Sequence, residues 1–348
     1  MRVLVAMSGG VDSSVAAARL LAAGHDVVGV TMKLWGGESD TGCCSVSDVD
    51  DARRVAQQLG IDHHTWTFTD DFERHVVGPY VDAHRRGATP NPCVECNRHL
   101  KFDRLTRRAW AVGFDAVATG HHARIVERPD GTRRLARGAD GAKDQSYVLY
   151  VLDQATLART LLPVGATSKA AGRDEAAALG LRTAAKPDSQ DVCFVTAARG
   201  RRDFLGHRIP LRPGRVVDGD GRAVGEVPAV ELVTVGQRRG LGLPGGDEPR
   251  YVVDVDVPGA TVRVGPATEL LAGDVALASM VWPGAPVSGP VVAQCSAHGA
   301  PRPATVEPGP GDTAVVRFAT PQRRVAAGQS VVLYEGDEVV GGGVVAPA

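Results

Sequence analysis

A short loop near the start of the chain constrains the fold more than any other feature of the sequence. The run Ser8-Gly9-Gly10-Val11-Asp12-Ser13-Ser14 stands between an apolar, β-branched stretch at 2–7 and a helical pattern at 11–23. The glycine pair permits a tight turn, and the start of a helix presents N–H groups to an anion. A carboxylate among such donors, Asp12, suits a Mg²⁺ ion that bridges phosphates. The pattern predicts a phosphate-binding loop, which we call the phosphate loop (8–14).

Strand and helix patterns alternate through the first half of the chain. Strand-like runs recur at 27–32, 64–68 and 115–119, with helical periodicity between them. This alternation predicts an α/β fold with a doubly wound parallel sheet. From Ile209 onward, glycine, proline and valine dominate, and helical periodicity is absent. We therefore predict three domains: an α/β domain at 1–194, a small β-rich central domain at 195–268 and a C-terminal β-barrel at 269–348.

Bulk properties exclude several classes of protein. The chain has 348 residues, a formal net charge of −1 and only six cysteines, too few for a disulfide scaffold. It has no apolar run long enough for a transmembrane helix and no signal-peptide pattern, so a cytoplasmic protein without a membrane partner is expected. A near-neutral charge still permits a nucleic-acid partner, because a local basic patch is sufficient.

Two separated cysteine motifs are the second strong signal. Cys93 and Cys96 follow the rigid stretch Pro90-Asn91-Pro92, and Cys193 lies in a later segment, 186–194. A helix predicted at 97–112 would place Cys96 near its N-terminus, where the dipole favours a thiolate. Half of a zinc site and a redox pair are alternatives for the Cys-x-x-Cys pattern. The remaining cysteines are interpreted as structural or incidental (Cys43, Cys44) and as buried and apolar (Cys295).

The predicted helix at 97–112 also has a basic face and an apolar face. The basic positions are Arg98, Lys101, Arg104 and Arg108, and the apolar ones are Phe102, Leu105, Ala109 and Val112. Two further basic clusters follow, at Arg199, Arg201 and Arg202 and at Arg238 and Arg239. Each cluster alone is typical of a solvated surface, but beside a nucleotide site contacts with nucleic-acid phosphates become the better interpretation.

The phosphate loop resembles that of the ATP pyrophosphatases, which cleave ATP to AMP and pyrophosphate while adenylating a substrate. The ordered set of motifs, over nearly the whole chain, resembles the bacterial tRNA-specific 2-thiouridylases. The matching stretches are 8–14 with Met32-Lys33, 89–92 leading to Cys96-Asn97, Lys101-Phe102-Asp103, 118–121, 143–147, 188–194 and 236–242. Seven motifs in order are far more specific than any one of them.

The resemblance implies a role for individual residues. ATP would contact Ala6, Met7, Ser8, Gly9, Gly10, Val11, Asp12, Ser13, Met32 and Gly120, with Mg²⁺ on Asp12. The tRNA would contact Asn91, Pro92, Cys93, Lys143, Asp144, Gln145, Ser296 and Ala297, and the central domain as well. Two departures stand out: position 93 is an aspartate in some members, and Ser296-Ala297-His298 replaces an Arg-aromatic pair.

For the sulfur step, the resemblance implies that Cys193 receives a persulfide from an upstream donor, a cysteine desulfurase or a relay protein. Cys96 would be the partner thiol, and a Cys96–Cys193 disulfide would form during turnover. A second route stays open from the residues themselves, because Cys93, Cys96 and Cys193 could together hold a [4Fe–4S] cluster. An alternative function is an argininosuccinate synthetase-like ligase acting on a small molecule, which needs neither the cysteine pair nor the basic helix.

Overall fold

The computed structural model describes residues 1–35, 45–188, 192–195, 200–243 and 248–346. Of the residues interpreted above, Cys43, Cys44, Arg199 and the 189–191 part of the Cys193 motif lie outside the described residues. Among the described helices, none is long and apolar enough to cross a membrane.

A five-stranded parallel sheet forms the first part of the molecule, in the order β3-β2-β1-β4-β7. Its strands are β1 (Arg2–Ala6), β2 (Asp26–Lys33), β3 (His63–Thr67), β4 (Ala116–Thr119) and β7 (Thr160–Leu161). Val3 and Val5 pack with the helices at 11–22, 46–59 and 169–178 on one face, and Leu4 packs with the helices of 69–111 on the other. Both faces are therefore covered by helices, which confirms the doubly wound α/β prediction.

The helices of this part are mostly short. They are α1 (Val11–Ala22), α2 (Val46–Leu59), α3 (Thr69–Phe72), α4 (Gly78–Arg85), α5 (Pro92–Glu95), α6 (Leu105–Ala111), α7 (Ser146–Leu149), α8 (Gln154–Leu157) and α9 (Lys169–Ala178). Two π-helical segments join neighbouring helices, Glu73–Val77 between α3 and α4 and Cys96–Arg104 between α5 and α6.

The helix predicted at 97–112 in fact begins one turn earlier. Asn91 caps α5 by accepting a hydrogen bond from the Cys93 N–H at 3.0 Å, and Pro92 occupies the first turn, where its missing N–H costs nothing. The helix N-terminus therefore lies at Pro92, and Cys96 starts the π-helical segment. Val112 is half exposed and does not belong to the apolar face, whereas Phe102, Leu105 and Ala109 are buried as expected.

The second half is mainly β, as predicted. After α10 (Gly200–Gly206) comes a four-stranded sheet in the order β10-β11-β8-β9. Its strands are β8 (Gly214–Val217), β9 (Ala223–Val227), β10 (Tyr251–Asp256) and β11 (Thr261–Gly265), with short 3₁₀ turns at Val230–Leu232 and Ala267–Leu270. Valines and leucines such as Val216, Val252 and Leu241 fill its core.

Six antiparallel strands close a barrel at the C-terminal end, because β12 pairs with both β15 and β17. They are β12 (Leu271–Val281), β13 (Gly289–Gln294), β14 (Arg302–Pro308), β15 (Ala314–Arg323), β16 (Ser330–Glu335) and β17 (Glu338–Val345). The hairpin β5–β6 (Ala123–Glu127 and Arg133–Arg137) extends this sheet at β17, where Ala136 pairs with Glu338. The first part of the chain and the barrel thus share one continuous sheet.

Candidate functional site

The phosphate loop is a tight turn held by its own hydroxyl groups. Gly9 has φ +72°, and a Cβ there would lie 2.2 Å from the Asp48 carbonyl oxygen, so only glycine fits. The Ser13 hydroxyl accepts from the Ser8 N–H at 3.2 Å and donates to the Gly10 carbonyl at 3.1 Å. Within the described structure, no side chain caps the first turn of α1. That turn can therefore accept an anion.

The residues predicted to bind nucleotide gather at one edge of the parallel sheet. Ala6 ends β1 and pairs with Val30 of β2 and with Thr119, the residue before Gly120. A Cβ on Gly120 would lie 2.6 Å from the Ser13 nitrogen, so β4 packs directly against the phosphate loop. Ligands of doubly wound folds bind at this carboxyl edge of the strands. Nucleotide contact by these residues remains a prediction.

Asp12, at the start of α1, is held by two basic side chains that the sequence analysis missed. One carboxylate oxygen lies 3.0 Å from His122 Nε2, and the other accepts a hydrogen bond from Lys169 Nζ at 2.6 Å. Burial alone would raise the pKa of Asp12, but the hydrogen bonds from His122 and Lys169 and the Lys169 charge together keep that pKa below its ordinary value. Asp12 is therefore a carboxylate facing a cationic environment.

Asp188 joins three cations around the same site. Its carboxylate lies 2.8 Å from Lys143 Nζ, 3.1 Å from Lys169 Nζ and 2.7 Å from Arg173. The hydrogen bond from Lys143 outweighs partial burial, and with Lys169 and Arg173 it holds the pKa of Asp188 well below its usual range. The loop that contains Lys143, the segment that contains Asp188 and helix α9 are thereby linked to the phosphate loop by ion pairs.

Lys186 is a further basic residue at the phosphate loop. Its ammonium donates to the Gly9 carbonyl at 2.9 Å and to Asp48 and Asp51 at 2.6 and 2.7 Å. Burial would lower the pKa of Lys186, but Asp48 and Asp51 raise it above its ordinary value. The motif at 186–194 therefore contributes the charged side chains of Lys186 and Asp188 as well as Cys193.

The loop that contains Lys143, Asp144 and Gln145 is tied to the phosphate site. Gln145 accepts the His122 N–H at 2.8 Å, and its own N–H donates to the His122 carbonyl at 2.9 Å. The Asp144 side chain is only 6% exposed, and it accepts hydrogen bonds from Arg137, the Gly138 N–H and the Ser146 N–H and hydroxyl. These contacts give Asp144 and Gln145 structural roles, and contact with tRNA stays a prediction for all three residues.

The second segment predicted to contact tRNA lies on the barrel. The side-chain amide of Gln294 donates to the carbonyl oxygens of Ser296 and Ala297, at 3.0 and 3.1 Å. Gln294 itself is buried and accepts a hydrogen bond from Arg137 at 2.7 Å. The backbone of Ser296 and Ala297 is thus fixed by a side chain buried between the barrel and the β5–β6 hairpin.

Two of the three candidate cysteines border one apolar core. Cys96 is buried with Phe72, Tyr80 and Phe194, and Cys193 is half buried against the same cluster. Cys93 is also half buried, and the described cysteines form no disulfide. We call Cys93, Cys96 and residues 192–195 the cysteine region. The fold brings Cys96 and Cys193, about a hundred residues apart in sequence, to a common core.

The donor groups fit the two predicted metal sites unequally. Within the described ranges, no three His, Cys, Asp or Glu side chains are grouped closely enough to hold a metal ion. This arrangement gives no support to a [4Fe–4S] cluster on Cys93, Cys96 and Cys193, which stays a prediction. Mg²⁺ does fit at Asp12, because this ion commonly binds one carboxylate and takes its other ligands from phosphates and water.

A cavity of about 360 Å³ lies beside the cysteine region. Its wall includes Tyr80, His84, Pro92, Val192 and Arg201. His84 is buried, its Nδ1 lies 3.3 Å from the Glu231 carbonyl oxygen, and its Nε2 has no hydrogen-bond partner among the described residues. Burial, with the nearby Arg201 charge, lowers the pKa of His84 to about 4. The imidazole is therefore neutral at physiological pH.

The basic face of the helix at 92–111 makes contacts within the protein. Arg98 pairs with Glu95 at 3.4 Å, and Arg104 pairs with Asp71 at 3.1 Å. The Arg108 guanidinium lies 4.4 Å from the centre of the Trp66 ring. These contacts occupy side chains that were expected to meet phosphates, and phosphate contact by this face stays a prediction.

Comparison with known proteins places the chain in a family. Three family models match, described as a tRNA methyl transferase HUP domain (1–197), a tRNA methyl transferase PRC-barrel domain (202–266) and an aminomethyltransferase beta-barrel domain (275–345). A solved 4-thiouridine synthetase in complex with RNA and ATP matches 56% of this chain and 44% of its own, with 17% identity and a TM-score of 0.38.

Curated relatives match along the entire chain. The tRNA-specific 2-thiouridylase MnmA of Mycolicibacterium gilvum is 49% identical over 358 residues, covering 98% of both chains. The enzyme of the same name from Chloroflexus aurantiacus is 47% identical over 353 residues, covering 99% of this chain and 98% of its own. Identity at this level over the full length shows common descent, and the chain belongs to the tRNA-specific 2-thiouridylase family.

Proposed function

We propose that this chain catalyses the ATP-dependent 2-thiolation of the wobble uridine of tRNA, releasing AMP and pyrophosphate. One observation carries the proposal: Asp12 of the phosphate loop stands between His122 and Lys169 at the carboxyl edge of the sheet. That site suits ATP phosphates. The thiols of Cys96 and Cys193 border a single core in the same domain, which suits a sulfur transfer coupled to ATP use.

In the first step, the C2 oxygen of the uridine attacks the α-phosphate of ATP, and pyrophosphate leaves. The N–H groups at the start of α1 and the ammonium of Lys169 stabilise the negative charge on the departing pyrophosphate. When phosphates enter, Lys169 can move from Asp12 to a phosphate oxygen. Mg²⁺ held by Asp12 would supply further charge neutralisation. His122, clamped by Gln145, keeps the Asp12 carboxylate oriented throughout.

In the second step, sulfur replaces the adenylated oxygen. The terminal sulfur of a persulfide on Cys193 attacks C2, and AMP leaves with the former C2 oxygen. The Cys96 thiolate then attacks the inner sulfur of Cys193, which frees the 2-thiouridine and forms a Cys96–Cys193 disulfide. An external thiol must reduce that disulfide before the next turnover. An upstream persulfide donor, a cysteine desulfurase or a relay protein, loads Cys193 again.

Two other activities are weaker candidates. The matching family models carry methyl-transfer names, but the Ser8–Ser14 loop has the residues expected of an ATP pyrophosphatase and no methyl donor is needed to explain it. A ligase for a small molecule would use the same loop, yet it would leave Cys96 and Cys193 without a role. Thiolation of a nucleic acid accounts for both the loop and the cysteines.

Reconstitution with unmodified tRNA, ATP, Mg²⁺ and a persulfide donor tests the proposal. We expect 2-thiouridine in the digested tRNA and AMP release that depends on the added tRNA. Asp12→Asn should fold normally and lose AMP release, because the neutral amide binds Mg²⁺ and Lys169 weakly. AMP release without tRNA, or tRNA lacking 2-thiouridine after incubation with active donor, would contradict the assignment.

A further inference from the structure

Arg137, at the end of strand β6, makes contacts that the proposed reaction does not use. Its Nη1 donates to Asp144 at 3.1 Å and to the side-chain oxygen of Gln294 at 2.7 Å. Its guanidinium carbon lies 3.7 Å from the centre of the Tyr334 ring. Arg137 therefore stands where the β5–β6 hairpin, the 143–146 loop and the C-terminal barrel meet.

The partners of this guanidinium are buried, and the guanidinium itself is largely covered. The Arg137 side chain is 20% exposed, that of Asp144 6%, and Gln294 3%. Tyr334 is fully buried and its hydroxyl lies 3.0 Å from the Ser146 hydroxyl, which in turn donates to Asp144 at 2.8 Å. Because these partners are buried, the planar fork of an arginine fixes their relative positions more strictly than an exposed ion pair does.

Each partner of Arg137 controls a different segment. Asp144 lies within the loop 143–145, which clamps His122 through Gln145. Gln294 holds the carbonyl oxygens of Ser296 and Ala297 on the barrel. These are the two segments predicted to contact tRNA, and they lie about 150 residues apart in sequence. The Nη1 atom of Arg137 thus connects these two segments through Asp144 and Gln294.

We propose that Arg137 is a positioning residue that holds the segments 143–145 and 296–297 in the spacing that one tRNA molecule requires. The inference rests on the proposed function, since it takes both segments as parts of one RNA surface. Arg137 itself touches no substrate. A misplacement of about 1 Å caused by a distant substitution is enough to lower activity about a hundredfold, so the spacing of the two segments matters.

A neighbouring ion pair provides the matched comparison. Arg128, on the same hairpin, pairs with Glu338 of the barrel at 2.6 Å. This pair ties the same hairpin to the same barrel, but it contacts neither Asp144 nor Gln294. Arg128→Gln therefore reports the cost of loosening the hairpin alone, and Arg137→Gln reports that cost together with the loss of spacing.

The experiment compares steady-state kinetics and direct tRNA binding for wild type, Arg137→Gln and Arg128→Gln. We expect Arg137→Gln to raise the KM and Kd for tRNA about tenfold while the KM for ATP stays within about twofold. Arg128→Gln should leave the KM and Kd for tRNA unchanged. A variant that merely unfolds in part would lower the apparent kcat through its active fraction and would leave both KM values in place.

A second variant keeps the inference testable if Arg137→Gln folds poorly. Gln294→Leu releases the carbonyl oxygens of 296–297 and removes the barrel-side partner of Arg137, while it leaves the Arg137–Asp144 contact in place, and it should also raise the tRNA Kd. Equal tRNA Kd values for wild type, Gln294→Leu and a folded Arg137→Gln would overturn the inference. Wild-type protein that binds tRNA but forms no 2-thiouridine would count against the proposed function instead, because the Kd comparison does not depend on thiolation.

Discussion

The phosphate loop and the cysteine region differ in how far the fold completes them. In the phosphate loop, Asp12 already pairs with His122 and Lys169. Lys169 and Arg173 in turn pair with Asp188, and all these ion pairs measure 2.6 to 3.1 Å. In the cysteine region, Cys96 is buried in an apolar core and Cys193 only borders it. Preorganised charges suit the polar first step, while the sulfur step requires the two thiols to meet. Adenylation and sulfur transfer should therefore respond differently to substitution.

Substitution of Cys193 should produce the largest separation between the two steps. Cys193→Ser should lower 2-thiouridine formation by more than about a thousandfold, because a hydroxyl cannot hold a persulfide, and tRNA-dependent AMP release should persist. In the Cys96→Ser variant, the donor should still load the extra sulfur on Cys193, which mass spectrometry of the intact protein detects. This variant should nevertheless fail to complete a catalytic turnover. Extra sulfur on Cys96 would reverse the assignment.

Cys295 provides the control for this pair. It is half buried in the barrel, and burial raises the pKa of its thiol to about 11, so it stays protonated and unreactive. Cys295→Ser should therefore leave thiolation close to the wild-type rate. A strong loss in that variant would show that cysteine substitution disturbs the fold in general.

Lys169 tests the other side of the comparison. Lys169→Gln removes the cation nearest Asp12 and should slow AMP release about a hundredfold, the size of effect seen when one charge-stabilising donor is lost. Arg173→Gln is the matched control, because Arg173 shares Asp188 with Lys169 but does not contact Asp12. Equal rates of AMP release in the two variants would show that the Asp12 contact has no special part in adenylation.

The two regions also differ in how much of them the sequence could predict. The phosphate loop was predicted correctly as a turn between strand and helix, since neighbouring residues supply all its local geometry. Lys169 and His122 were missed because they reach Asp12 from 157 and 110 residues away. No local pattern distinguishes such a lysine from a surface lysine before the fold is known.

The helix start, predicted at Asn97 and found at Pro92, was misplaced for a different reason. Asn91-Pro92 is a capping signal, asparagine followed by proline in the first turn, but it was interpreted as a rigid approach to the helix. The β5–β6 hairpin and its addition to the barrel were not predicted either. Strand addition depends on a distant edge, β17, that the local sequence does not describe.

Gly120 tests whether the phosphate site tolerates any displacement. Gly120→Ala would bring a Cβ within 2.6 Å of the Ser13 nitrogen, against backbone that cannot move aside cheaply. We expect a loss of about 3 kcal/mol in the free energy of unfolding, measured by denaturant titration, together with weaker ATP binding. The control is Gly141→Ala, where a Cβ meets nothing within 4 Å. Similar losses in both variants would mean that the close packing of β4 on the loop is unimportant.

His84 provides the smallest effect and tests whether the imidazole beside the cysteine region stays buried in solution. Its pKa of about 4 lies below the ordinary value of 6.5, so between these values the unfolded chain binds a proton that the folded chain does not. Stability is therefore fully present above pH 6.5 and is lost as the pH falls toward 4. Between pH 7 and pH 5, wild type should lose about 2 kcal/mol more than His84→Gln, which keeps a hydrogen-bond donor for Glu231 but does not titrate.

Denaturant titrations at the two pH values measure this difference, and the exposed His207, replaced by glutamine, provides the control. The other histidines are common to the proteins compared, so their contributions cancel. The low pKa of His84 depends first on burial of the imidazole, with the nearby Arg201 charge as the second cause. If water reaches His84 in solution, its pKa returns toward 6.5 and the pH-dependent difference disappears. A full difference would instead show that His84 stays buried beside the cysteine region, in contrast to Asp12 of the phosphate loop, whose side chain is 30% exposed.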